Sequence, residues 1–140
     1  MKITNAIYDL IMQHCPLVPP ETGGIIGGHG ELITAVIFDR NHGLAERAVY
    51  CPDVSYLNDR IAEWNRQHIE FRGIFHSHPT NQCDLSGVDR EYIIKIMSAM
   101  PTSVEDLFFP IIIPRQKIYV YRAKREALDI SIHVDCLQKV

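Results

Sequence analysis

The chain has 140 residues, 46% of them hydrophobic and 22% charged, with a net charge of −3. That length and apolar content predict one domain, residues 1–140, with a core that needs no staple. The charge balance lacks the basic footprint of a nucleic-acid binder, and no apolar run is long enough to span a membrane.

Four cysteines, Cys15, Cys51, Cys83 and Cys136, include no C-x-x-C pair, so reduced thiols are expected and a zinc ribbon is not. Met1-Lys2-Ile3-Thr4-Asn5 carries neither the apolar stretch nor the small-residue cleavage site of a signal peptide. A cytoplasmic protein is the expectation.

In chain order, Ile3, Ile7, Leu10 and Ile11 recur at helical spacing and predict a helix over residues 3–15. Pro16, Pro19 and Pro20 end it. Residues 24–28 read as a short buried strand, His29-Gly30 as a turn, and the β-branched run 31–38 as its hairpin partner. Residues 45–51 predict a further strand. Ser55 is the expected N-cap of a helix whose face is Leu57, Ile61, Trp64 and His68, running to about residue 69. Residues 71–76 read as a strand buried on both faces, ended by Pro79. A polar loop over 79–85 precedes a helix marked by Val88, Tyr92, Ile96 and Ala99, closing before Pro101. Residues 107–113 are strongly apolar, 114–116 form a turn, 117–121 a strand, and 127–134 a last strand. Interleaved helices and strands with closing hairpins predict an α/β fold on a mixed sheet.

The chemistry concentrates in His76-Ser77-His78-Pro79 and Ser86-Gly87-Val88-Asp89. Side chains at i and i+2 of a strand share one face, so His76 and His78 project together, about 6.6 Å apart along the chain. Asp89 follows at the start of a helix. Two imidazoles and one carboxylate are the usual protein complement of a catalytic zinc, leaving one position for water. Each piece also has a plainer reading. Two histidines on one strand face serve as ordinary polar residues, and Ser86-x-x-Asp89 is a capping box. Upstream, Glu21 precedes Gly23-Gly24 and a strand. It reads either as a carboxylate facing the metal without ligating it, or as a solvated loop glutamate.

Glu21, His76-x-His78-Pro79, seven residues counted from Pro79, and Ser86-x-x-Asp89 together resemble the JAMM motif. That motif marks the catalytic members of the MPN (JAB/Mov34) metalloprotease superfamily, and residues 21–27 are similar to the family's first-strand segment. The resemblance implies a cytidine-deaminase-like α/β/α sandwich. It implies Zn2+ held by His76, His78 and Asp89, with Glu21 as general base and Ser86 as oxyanion donor. It also implies hydrolysis after the Gly-Gly tail of a ubiquitin-like or sulfur-carrier protein. Deaminases of this fold use a P-C-x-x-C pair that the chain lacks. The short chain leaves little room for segments that grip two ubiquitins, which favours a smaller β-grasp partner or peptide tail lying extended beside a sheet edge. Two rival functions are a zinc amidohydrolase for another peptide, such as a cell-wall fragment, and a non-catalytic MPN interaction domain. The oligomeric state has no signature in the sequence.

Among other residues, Cys83 lies in the loop between ligands, where a thiolate switch or a plain loop residue are the two readings. Trp64 is expected as a core anchor. His14, His29, His42, His68 and His133 have no ligand-spaced companion, and Arg122, Lys124 and Arg125 read either as a face for an acidic partner or as an ordinary solvated turn.

Overall fold

A computed structural model describes residues 1–40, 50–79 and 81–140. Its elements are β1 (Lys2–Ile3), α1 (Asn5–His14), β2 (Gly23–His29), β3 (Leu32–Phe38), α2 (Val54–Arg66) and β4 (Glu70–Ser77), followed by α3 (Gly87–Ala99), β5 (Asp106–Ile113), β6 (Lys117–Glu126), β7 (Asp129–Asp135) and β8 (Gln138–Lys139). No helix among the described residues is long and apolar enough to cross a membrane.

The strands form one mixed sheet in the order β7-β6-β5-β4-β2-β3-β1-β8. β4 runs parallel to β5, and β1 parallel to both β3 and β8; the remaining pairs are antiparallel. β7 and β8 stand at opposite ends of this order, yet only Cys136 and Leu137 separate them in the chain. A flat sheet of this width would hold its edges about 34 Å apart, whereas so short a link reaches about 11 Å. The sheet therefore curls until its edges meet. The amino group of Met1 closes the seam by donating to Asp135 Oδ2 and to the Cys136 carbonyl.

Alternation along the strands sorts the core into two faces. Ile26, Phe75, Phe108 and Ile112 pack inside the curl with Ile11 of α1 and its C-cap Cys15. Their neighbours Ile25, Ile74, Leu107, Phe109 and Ile111 point the other way, to Leu57 and Trp64 of α2 and Ile93 and Met97 of α3. This is the three-layer α/β/α arrangement expected. Gly73 sits at φ +148, and a Cβ there would lie 1.7 Å from the Phe108 carbonyl oxygen. Only glycine lets β4 bulge and still approach β5 at that point.

Several boundaries differ from the pattern reading. Ile3 belongs to β1, and α1 starts at Asn5 behind a Thr4 cap. The N-cap of α2 is Asp53, not Ser55, because its side chain accepts from the Tyr56 N–H and its own N–H is held by Asp39. α2 ends at Arg66; His68 lies beyond it, exposed and at φ 59. β6 continues to Glu126 and β7 spans Asp129–Asp135. The strand expected over 45–51 falls mostly outside the described residues, and Tyr50 and Cys51 are not in a strand. The basic cluster Arg122, Lys124 and Arg125 lies within β6 rather than in a turn, and it is not simply solvated. Arg122 pairs with Asp106 and Glu31, and Arg125 donates to the Met97 and Met100 carbonyls, capping the C-terminal end of α3.

Candidate metal centre

The end of β4 delivers the two imidazoles. His76 faces the α2/α3 side with Ile74, while Ser77 turns to the opposite face, where its Oγ accepts the Thr22 N–H at 2.9 Å. His78 is one residue past the strand and stays in register because its N–H reaches the Ile112 carbonyl of β5 at 2.9 Å. Both imidazoles thus project together, with Nε2 atoms 2.9 Å apart. The Nδ1 of His78 lies 2.5 Å from the Gln82 carbonyl. A carbonyl can only accept, so Nδ1 carries the proton in the neutral ring, and the Nε2 lone pair is left free for a cation.

The N-terminus of α3 supplies the carboxylate. Ser86 Oγ accepts the Asp89 N–H at 3.0 Å, and Asp89 Oδ2 accepts the Ser86 N–H at 2.8 Å. The capping-box reading therefore holds, and it is what aims Asp89. Its Oδ1 stands 3.3 Å from His76 Nε2 and its Oδ2 3.8 Å from His78 Nε2. Burial pushes this carboxyl up, but the contacts from His76 and Ser86 outweigh it and hold the group well below the usual carboxylate range. The Ser86 hydroxyl is exposed, and by accepting from Asp89 it keeps its own proton to donate.

Glu21 follows the cis Pro19–Pro20 bond and precedes β2. It is not a solvated loop glutamate. Its Oε1 is 3.8 Å from His78 Nε2, and its Oε2 accepts the Tyr50 N–H at 2.9 Å. Glu21, His76 and His78 each bring one donor atom within 4.8 Å of the others. Tyr50 also lays its ring nearly parallel to His76, 6.2 Å between centroids and 12° between planes, and donates its hydroxyl to Asp39 Oδ2 at 2.7 Å. Burial and the Asp39 carboxylate push the Tyr50 hydroxyl above its ordinary pKa. Gly23 pairs with His76 across β2 and β4; a Cβ there would come 2.7 Å from the Tyr50 ring, so glycine makes the room. The result is a cleft of about 90 Å³ walled by Glu21, Tyr50, Pro52, His76, Val88 and Asp89, with Tyr92 closing one side.

The donor set fits a small divalent cation. Ligands 2.0–2.1 Å from a tetrahedral zinc lie about 3.3 Å from one another. The two Nε2 atoms are 2.9 Å apart, Asp89 Oδ1 is 3.3 Å from that of His76, and Asp89 Oδ2 and Glu21 Oε1 are each 3.8 Å from that of His78, all near that edge. Nitrogen lone pairs and a carboxylate suit zinc better than calcium or magnesium, which take oxygen. Cys83 is outside the Glu21-His76-His78 cluster; its carbonyl instead accepts the Tyr121 hydroxyl at 2.9 Å, tying the ligand loop to β6. Tyr50, Asp39 and the Gln82 carbonyl had no signal in the sequence, because two of their three contacts to the site run through main-chain atoms that every residue carries.

No protein-family model and no curated protein matches the sequence. Solved structures match over nearly the whole chain. A protein of Desulfitobacterium hafniense is similar at 18% identity and TM-score 0.68, covering 99% of this chain and 93% of its own. A JAB1/MPN domain protein from Archaeoglobus fulgidus is similar at 16% identity and TM-score 0.60, covering 100% and 99%. A structure described as "JAMM: a metalloprotease-like zinc site in the proteasome and signalosome" is similar at 14% identity and TM-score 0.54, covering 100% and 97%. The chain has the fold of the JAB1/MPN domain proteins.

Proposed function

We propose that this protein is a zinc-dependent isopeptidase or peptidase that cuts after the C-terminal Gly-Gly of a ubiquitin-like or sulfur-carrier protein. One observation carries the reading. Two carboxylates stand beside the paired Nε2 atoms of His76 and His78: Asp89, with one oxygen 3.3 Å from His76 and the other 3.8 Å from His78, and Glu21, with one oxygen 3.8 Å from His78 and the other accepting the Tyr50 N–H. Three ligands and an anchored carboxylate are the parts a hydrolytic zinc site needs. The likeness in fold to a structure described as carrying a metalloprotease-like zinc site supports it.

His76, His78 and Asp89 would hold the ion, which when bound supplies a water acidified toward a pKa of about 7 and a Lewis acid beside the scissile carbonyl. The residues of the chain do the rest. Glu21 Oε1 takes the proton of the attacking water and returns it to the leaving amine. The Ser86 hydroxyl donates to the oxygen on which negative charge develops. The Gln82 carbonyl keeps the His78 ring in one tautomer, as partners of metal-binding histidines do. A cleft of about 90 Å³ suits a tail of glycines, which bring backbone and no side chain past the ion.

The test uses the purified full chain. Metal content is measured first, then the protein is incubated with a β-grasp protein whose Gly-Gly tail is fused to a reporter, and in parallel with muropeptides. Release of the reporter after the second glycine, abolished by a chelator and restored by zinc, is the expected result. Cleavage of muropeptides alone moves the substrate to the cell wall. A zinc-loaded protein inert on both is an interaction domain, which ends the hydrolase reading.

A further inference from the structure

Glu21 stands in two roles that exclude each other. One of its oxygens lies close enough to both imidazoles to serve as a third metal donor, whereas a general base must stay off the ion. At 3.8 Å from His78 Nε2, Glu21 Oε1 stands no farther off than Asp89 Oδ2, so what sets its role is the hold on its other oxygen. We infer that Tyr50 is a positioning residue that keeps Glu21 out of the coordination sphere, so that the carboxylate serves as base rather than ligand. The inference rests on the hydrolase reading for its purpose, but its geometry stands by itself.

Three contacts make Tyr50 a strut. Its N–H holds Glu21 Oε2 at 2.9 Å, so the carboxylate cannot turn both oxygens to the metal or advance without breaking a charge-assisted bond. Its hydroxyl donates to Asp39 Oδ2 at 2.7 Å, and the same oxygen accepts the Asp53 N–H at 2.9 Å, which ties the strut to the end of β3 and the cap of α2. Its ring lies against His76 in the space that Gly23 leaves. The main-chain donor, the ring and the hydroxyl thus join base, ligand and scaffold through one residue.

Tyr50→Pro deletes the N–H donor together with the ring and the hydroxyl. Tyr50→Phe and Asp39→Asn keep that N–H but loosen the strut from Asp39. Full-length proteins are titrated with cobalt(II), read by visible absorption, and zinc affinity is taken by competition; neither readout needs a substrate. With Tyr50→Pro, Glu21 swings onto the ion. Affinity rises about tenfold, the scale on which partners of ligating groups act, and the visible absorption weakens as the coordination number grows. Adding Glu21→Gln to Tyr50→Pro returns both signals to the wild-type values, which a merely structural role would not do. Tyr50→Phe and Asp39→Asn shift them the same way by a smaller factor. A folded Tyr50→Pro with wild-type or weaker affinity and unchanged absorption overturns the inference. If Tyr50→Pro does not fold, unchanged cobalt signals in both Tyr50→Phe and Asp39→Asn overturn it instead. A wild-type protein that cleaves nothing sinks the hydrolase reading and leaves the cobalt result to decide this one.

Discussion

Replacing Glu21 by glutamine separates the base from the ligands. The substitution keeps the shape of the side chain, and its amide oxygen still accepts the Tyr50 N–H that now bonds Oε2. What it removes is the capacity to take a proton. General-base groups contribute about 10²–10⁴ in rate, so turnover should fall by that factor, or roughly 3–5 kcal/mol of barrier. Metal content should stay at one ion per chain, because the contacts linking His76, His78 and Asp89 do not pass through Glu21. His78→Ala is the control. It deletes one of the three proposed ligands and the bond to the Gln82 carbonyl, so both metal and turnover should go. Plasma emission on dialysed protein and initial rates on the Gly-Gly fusion read the two quantities. Metal-free Glu21→Gln would place the residue among the ligands, and Glu21→Gln with undiminished turnover would remove it from the chemistry. Either result refutes the scheme.

Three further outcomes follow from the same geometry. Ser86→Ala should cost about 1 kcal/mol through the lost cap and 10²–10³ in turnover through the lost donor; Ser86→Asn restores the urea midpoint but not the rate, and recovery of both would leave Ser86 a cap alone. Removing metal with a chelator should lower the melting temperature, and zinc at 100 times its Kd should return about 2.7 kcal/mol; an unmoved midpoint would mean that no ion binds the folded state. The third concerns acid. Burial raises the Asp106 carboxyl, but hydrogen bonds and charge from Arg72 and Arg122 win and lower its pKa. A lowered folded pKa gives stability that is present above the ordinary carboxylate value and lost as pH falls through the folded one. Asp106→Asn should therefore cost roughly 2–3 kcal/mol at pH 6, less than a fully buried pair because the Arg72, Asp106 and Arg122 side chains keep 11%, 17% and 21% exposure. That deficit should shrink toward pH 2 in urea melts; a constant deficit would show that the pairing is not its cause.

How much of this was legible in the sequence depended on the range of the interaction. β2, β4 and β5 announce themselves by apolar runs between turn residues, and α3 by its capping box, since both signals lie within a few positions. β1 and β8 are two residues each, too short for any period, and exist only because the curl brings the chain ends together. Asp53 and Ser55 are equally good caps by type; Asp39, fourteen residues upstream, decides between them by fixing the Asp53 N–H. The same rule divides the site. His76, His78, Ser86 and Asp89 fall within fourteen residues on a strand, a loop and a helix start, so spacing alone could group them. Arg125 could not be read as a cap for α3, because the carbonyls it meets belong to residues more than twenty positions away.

This division has a mechanical consequence. The three proposed ligands are carried by well-bonded parts of the fold: the end of a central strand paired on both sides, and the first turn of a helix closed by reciprocal caps. Glu21 and Tyr50 are carried by segments outside strands and helices, and their positions follow from isolated hydrogen bonds and one ring contact rather than from a ladder. Substitutions along β4 must therefore disturb folding and metal together. Substitutions along the Asp39–Tyr50–Glu21 line should alter what the bound ion can do while leaving the core intact, because no residue of that line belongs to any of the three apolar clusters. A site built this way can change its activity without renegotiating its fold, and comparing urea midpoints with turnover across the two groups of variants tests that separation directly: midpoints that fall as steeply for Tyr50→Phe as for Phe75→Ala would abolish it.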